Sequence, residues 1–183
     1  LAGLACARRL ADAGGRVAAS DVASERYVPP FDRAAMDGFA VVAEDTFGAG
    51  RYEPSVLRCV ETVFTGQTPQ RGVGRGECAQ IATGAPMPDG ADAVVMVEET
   101  DRGDDTEVRI FTPVYPRQNV GRRGADIVPG QTLINRGSVL SPGRVGALAA
   151  VGSAEQFSLK TWQTIVAERL GKRSQHCEMV GLT

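Results

Sequence analysis

Between Pro30 and Phe111 the apolar residues come only in short runs. Phe39 to Val42, Val56 to Phe64, Ala93 to Val97 and Val108 to Phe111 are each closed off by glycine, proline or aspartate. Short runs bounded by turn residues are strands rather than long helices. Gly76 to Ala82 stays ambiguous, because Cys78, Ile81 and Ala82 suit one helical turn as well as a strand. Pro29-Pro30 fixes φ twice and removes two backbone donors, which marks a junction rather than a strand interior. The expectation is a β-rich module over 28–125. The charged stretch Glu98 to Glu107, with Gly103-Asp104-Asp105 at its centre, reads as a solvated hairpin tip.

The flanks read differently. Leu1 to Ala13 has Leu1, Leu4, Ala5 and Ala11 on one face with Gly14-Gly15 as a stop, a helix pattern, and Val17 to Val28 follows as an extended arm. On the return side, Thr132 to Ile134 is a short strand. A helix then spans 142–151, with Ser141 as N-cap, Pro142 as first helical residue, Val145, Leu148 and Val151 as apolar face and Gly152 as stop. The organisation expected is a helix and arm over 1–27, the module, a return arm over 126–155 and a tail over 156–183. The fold class is α+β, rich in β, with few short helices.

Composition narrows the function classes. Of 183 residues, 43% are hydrophobic and 23% charged, values typical of a folded globular chain and far from those of disorder. Twenty basic residues against 22 acidic ones leave a net charge of -2, so no global charge recruits nucleic acid or an anionic membrane. The most apolar stretches are far shorter than the roughly 18 residues of a membrane span. Residue 1 is Leu, which reads as an internal start. Cys6, Cys59, Cys78 and Cys177 are scattered without a CxxC pair, which argues for a reducing, cytoplasmic setting. The single histidine, His176, stands beside Cys177, and two ligands near a chain end make a poor metal site. Ser–His–Asp and Cys–His chemistry has no internal histidine to use.

Three segments carry chemistry. In Pro29 to Val41, the carboxylates Asp32 and Asp37 flank Arg33-Ala34-Ala35-Met36, and Gly38 follows Asp37, where a glycine permits positive φ or a close backbone approach to a ligand. Asp32 and Asp37 equally suit plain turn capping. In Ile81 to Val95, Thr83-Gly84-Ala85 offers a hydroxyl and backbone N–H groups as a nest for an oxyanion, or is an ordinary loop. In Asn119 to Ile127, Arg122 and Arg123 suit phosphate or molybdate through paired donation, and Asp126 suits a hard cation; the alternative is a solvated arginine pair bonded to Asp126. From the residues alone, the reading stops at an oxyanion-binding module.

In this order and spacing, Ala35-Met36-Asp37-Gly38, Ala82-Thr83-Gly84-Ala85 and Arg122-Arg123-Gly124-Ala125-Asp126-Ile127 resemble the signature of the MoeA family and the related gephyrin E domain, from about Arg16 to about Glu155. The resemblance implies a β module on an extended β arm and molybdenum-cofactor chemistry. Molybdate enters adenylylated molybdopterin, AMP leaves, and Mg2+ assists. It also implies an elongated homodimer whose cleft is shared with a MogA-like α/β domain that this chain lacks, with no nucleic acid or membrane partner. By resemblance, Asp37, Thr83 and Asp126 are the catalytic positions, Asp37 and Asp126 the metal side, and Gly38, Gly84, Arg122 and Arg123 the substrate side. The family's usual Gly-Glu-Asp-Ile is here Gly124-Ala125-Asp126-Ile127, one carboxylate fewer, and after Glu155 the likeness ends in a foreign or frame-shifted tail. Two other readings remain open: a non-catalytic dimeric scaffold of the gephyrin type, and an inert truncated remnant.

Overall fold

The structure, a computed structural model, describes residues 10–152 except 17, 19, 104 and 105. In chain order the strands are β1 (Val22–Ala23), β2 (Arg33–Ala34), β3 (Gly38–Val41), β4 (Ser55–Val63), β5 (Glu77–Ile81), β6 (Ala93–Met96), β7 (Thr100–Arg102), β8 (Glu107–Ile110), β9 (Val120–Gly121) and β10 (Thr132–Ile134), and one helix follows, α1 (Pro142–Ala150). The chain divides into two compact units, one of Pro29–Asp126 and one of the segments on either side of it.

The Pro29–Asp126 unit is built on a six-stranded mixed sheet of order β6-β3-β5-β4-β8-β7, in which only β4 and β5 are parallel. Its strands alternate between two apolar clusters. Phe39, Val41, Leu57, Cys78, Val95, Val108 and Ile110 belong to one, and Ala40, Val63, Ala79, Ile81 and Val94 to the other. That accounts for the sequence of β3 and β6: a strand covered on both faces has no solvent side to make polar, so its apolar run is nearly continuous. All four residues of β3 are buried.

The ambiguous stretch Gly76 to Ala82 is a strand, β5, because β3 pairs with one of its edges and β4 with the other. The expected hairpin tip at Glu98 to Glu107 is narrower than the charge run. Val97–Glu99 is a 3-10 turn, and Thr100–Arg102 is already β7, paired antiparallel with β8. Charge on an edge strand is tolerated because one face meets water.

In the other unit, β1 and β10 pair antiparallel, and bonds between Ala18 and the Gly137-Ser138 turn prolong the contact. Leu10, Ala13, Ala18, Ile134, Leu140 and Leu148 form its core. α1 ends as its sequence signals, with the Ser141 hydroxyl accepting from the Arg144 N–H, Pro142 in the first turn, Val151 as C-cap and Gly152 at φ +71°. Leu148 and Val151 are buried and Val145 is half-buried. Among the described residues of the arm expected to run extended from Val17 to Val28, the strand is Val22–Ala23, with an isolated bridge from Val28 to Ile127. The arm bends at Ser24, whose hydroxyl donates to the Arg26 carbonyl at 2.7 Å. Of the helix expected over Leu1 to Ala13, the last four residues form a 3-10 turn and the rest lies outside the described residues, as do the 156–183 tail and the His176-Cys177 pair.

Candidate functional site

The three chemistry-bearing segments of the sequence lie side by side, with the Pro29–Val41 segment in the middle. On one flank, the Ala34 N–H donates to Ala85 O at 2.9 Å, Gly84 N–H to Ala34 O at 2.8 Å and Met87 N–H to Asp32 O at 2.9 Å. On the other flank, β2 pairs with β9, so that Arg33 faces Gly121 and Ala34 faces Val120, and the Ala35 N–H donates to Asn119 O at 2.8 Å. The middle strand is only two residues long, too short to persist alone, and is held by partners on both edges.

Asp37 stands in the turn between β2 and β3, with its side chain in solvent. Its Oδ1 accepts two bonds from one residue, the Thr83 backbone N–H at 2.6 Å and the Thr83 hydroxyl at 2.7 Å. Those bonds, the backbone one first, hold the carboxyl below the ordinary carboxylate range, so Asp37 is ionised at neutral pH. The second oxygen, Oδ2, takes no part in them. Thr83 is itself braced, its carbonyl accepting from the Thr65 hydroxyl at 2.7 Å just past the end of β4.

Two expectations change here. The Thr83-Gly84-Ala85 N–H groups do not form an open oxyanion nest, since their acceptors are Asp37 Oδ1, Ala34 O and Ala82 O. The turn spends its donors on fixing Asp37 and β2, and Gly84 at φ +84° supplies the left-handed residue that this needs. Gly38 does not make room for a ligand. It is buried in the sheet, and a Cβ there would lie 1.8 Å from the Val95 carbonyl oxygen, so its lack of a side chain serves the approach of β6.

Asp32 anchors the third segment. Its Oδ1 accepts from the Arg123 backbone N–H at 2.7 Å, and its Oδ2 is paired with Arg117 Nη1 at 2.6 Å. The Arg117 bond, then the Arg123 bond, hold Asp32 below the usual carboxylate value, and the Arg122 charge adds to the effect. The Arg123 backbone is thus anchored by Asp32, a tie across the fold that the sequence did not offer. Arg122, Arg123 and Asp126 are all exposed.

Sequence reasoning passed over Arg117 and Asn119. Both have positive φ, 72° and 56°, a backbone state uncommon outside glycine that persists where surrounding bonds over-determine it. The bonds are present: the Arg117 N–H donates to Asp92 O at 2.8 Å, and the Asn119 side-chain amide donates to Val94 O at 2.9 Å. Pro116 before Arg117 was the one local hint of a turn.

The depressed carboxyl of Asp32 gives a testable pH dependence. A group whose folded pKa lies below its unfolded value stabilises the fold above the unfolded value, near pH 4, and that contribution is lost as pH falls through the folded pKa. Asp32→Asn keeps an oxygen for the Arg123 N–H and removes the charge. Because the pair is about one-third exposed, the expected loss is only about 1 kcal/mol at pH 7 in urea unfolding, shrinking towards zero near pH 2. A loss of the same size at both pH values would remove the ion pair as its cause.

The site does not by itself fit a caged Mg2+. Among the described residues no group of three or more His, Cys, Asp or Glu side chains is placed to hold a metal ion, and Asp37 offers one carboxylate oxygen beyond its Thr83 bonds. No helix among the described residues is long and apolar enough to cross a membrane.

Known proteins resemble this arrangement over most of the chain. The family model for the MoeA N-terminal region, domains I and II, matches residues 5–152. A Mycobacterium tuberculosis protein named molybdopterin molybdenumtransferase 2 is 39% identical over 146 residues, 80% of this chain and 36% of that protein. A Staphylococcus aureus molybdopterin molybdenumtransferase is 33% identical over 144 residues, covering 79% of this chain and 34% of the relative. The crystal structure of a molybdopterin biosynthesis MoeA protein from Pyrococcus horikoshii superposes with a TM-score of 0.75 at 41% identity, over 79% of this chain and 37% of that one. The chain thus spans little more than a third of the relatives it matches. Its fold is the β-rich α+β module of such proteins, and the chain belongs to the MoeA family, matching that family's N-terminal region.

Proposed function

We propose that this chain supplies the N-terminal module of a molybdopterin molybdenumtransferase, acting in molybdenum cofactor biosynthesis by the insertion of molybdate into adenylylated molybdopterin with release of AMP. The observation that carries the reading is that the Thr83 and Arg122-Arg123 motifs flank the Pro29–Val41 segment, whose Asp37 carboxylate is oriented by two Thr83 bonds. A group held in that way needs no rearrangement at the moment of reaction, which is the basis of preorganised catalysis. An ionised carboxylate repels an oxyanion that meets it directly. Asp37 Oδ2 therefore acts on a protonated partner, accepting a hydrogen bond or proton from a water or hydroxyl at the reacting centre. Arg122 supplies positive charge for an anionic substrate group, and Thr83 acts by positioning Asp37.

The Mg2+ expected from the resemblance has no cage among the described residues, and no step here runs through it. Asp126 is assigned to the same cleft by motif alone. The nucleotide side of the cleft belongs in this reading to an α/β domain, and the working protein to a homodimer. The setting is cytoplasmic.

The reading is tested by joining residues 1–152 to the remaining domains of a relative such as the Pyrococcus protein. The joined gene is placed in cells that lack their own molybdenumtransferase. Recovery of molybdoenzyme activity by the joined chain, and none by residues 1–183 alone, is the expected outcome. A stable, soluble joined chain that restores nothing would refute the proposal.

A further inference from the structure

Away from the Asp37 turn, β4 and β5 run parallel with Cys59 directly opposite Cys78. Both residues pack on the same apolar cluster, so both side chains leave the same face of the sheet. Cys78 is fully buried, while Cys59 is only half-buried, which leaves its sulfur an approach from solvent. The register shifts between Cys59 and Glu61, a bulge that breaks the regular strand at the thiol. Paired strands lie about 4.7–4.9 Å apart, inside the roughly 4.4–6.8 Å between Cα atoms that a disulfide spans.

The surroundings favour a thiolate at one sulfur only. Cys78 stands opposite Cys59 across the strand pair, the Cys59 Sγ lies 3.5 Å from the Glu61 carbonyl oxygen, and Arg102, whose Nη1 donates to Gln80 Oε1 at 3.0 Å, adds positive charge nearby. Cys59 is lowered to about 6, chiefly by the neighbouring Cys78 thiol, whereas Cys78 is pushed up by the neighbouring Cys59 and by burial. A partly exposed thiolate in a positive setting is the reactive kind of cysteine, and a buried neighbouring thiol is the partner that resolves it.

We infer that Cys59 and Cys78 form a two-thiol redox site that a small hydroperoxide converts to an intramolecular disulfide between β4 and β5. In the first step the Cys59 thiolate attacks the terminal peroxide oxygen, the O–O bond breaks, Cys59 becomes a sulfenic acid, and the departing alkoxide or hydroxide takes a proton from water. In the second step the Cys78 sulfur attacks Cys59, the S–O bond breaks, and hydroxide leaves with the Cys78 proton as water. The two thiols lose two electrons and the peroxide gains them. The clamp would tie together the strands that lead to Thr65 and Thr83, and so to the turn that holds Asp37.

The test uses the full chain with Cys6→Ser and Cys177→Ser, treated with stoichiometric hydrogen peroxide, alkylated and digested with trypsin. The expected product is the peptide Cys59–Arg71 joined to Gly76–Arg102, lighter by two hydrogens than the sum of the two, with loss of both free thiols and full recovery on reduction. With Cys78→Ala, Cys59 should accumulate as a sulfenic acid trapped by dimedone. With Cys59→Ser, Cys78 should stay alkylatable after peroxide. Both thiols remaining alkylatable in the chain that retains them, or Cys59 linked only to a second molecule, would overturn the assignment. Because that peptide mapping needs neither variant, it decides the question even if a variant fails to fold.

Discussion

Asp37→Asn, in this chain joined to the remaining domains of a relative, is expected to lower molybdate-dependent AMP release by on the order of 10² to 10³. Asparagine is nearly the same size, and its oxygen can accept both Thr83 bonds, so the turn keeps its shape. What is lost is the charge on the oxygen those bonds leave uncommitted. Stability should hardly change, since the position is fully exposed. If turnover at saturating molybdate were unchanged, Asp37 would be a turn cap and nothing more. If turnover and stability fell together, its role would be structural.

Gly38→Ala is expected to be the most damaging single-methyl change in the Pro29–Asp126 unit, although it adds only one carbon. The added Cβ would lie 1.8 Å from Val95 O and 2.8 Å from Val95 C, and both are backbone atoms. A side chain could turn aside, but a paired strand cannot. β3 is bonded to β5 on one edge and β6 on the other, so relief requires breaking part of the ladder that holds Gly38 against Met96. Overpacking in a close-packed core typically costs about 1–3 kcal/mol where side chains can adjust. Here a loss of at least about 3 kcal/mol is expected, enough to threaten folding of a domain whose total stability is on the order of 5–15 kcal/mol. Gly50→Ala is the control, since a Cβ there would meet nothing within 4 Å and its φ is not in the left-handed region. Urea unfolding of both variants decides the matter, and equal stabilities would mean that β6 can move aside without penalty.

What the sequence made legible was local. The cap and stop of α1 are written within a dozen residues, and the strands that alternate or run continuously apolar are placed to within a residue or two. Contacts between distant segments were not legible. The Asp32–Arg117 pair joins residues 85 apart, and nothing near either one names the other. β5 was undecided because its neighbours on both edges, not its own five residues, make it a strand. Gly38 was noticed for the right property and the wrong partner, since the sequence shows that a side chain is missing but not what fills the space. The Cys59–Cys78 contact depends on a parallel register that no spacing rule reveals. The site itself was readable as three motifs. That they lie side by side, and that Thr83 spends its donors on Asp37, required the fold.

AMP release from adenylylated molybdopterin, followed in a single turnover with and without molybdate, bears most directly on the assignment of this module to a molybdenumtransferase. Residues 1–152 joined to the other domains of a relative should release AMP at a molybdate-dependent rate near that of the intact relative. Residues 1–183 alone should release almost none, because the proposed reading places the nucleotide on a domain the relative supplies, and positioning of reactants is worth roughly 7–11 kcal/mol of barrier. A folded joined chain whose AMP release is absent, or indifferent to molybdate, would contradict the assignment.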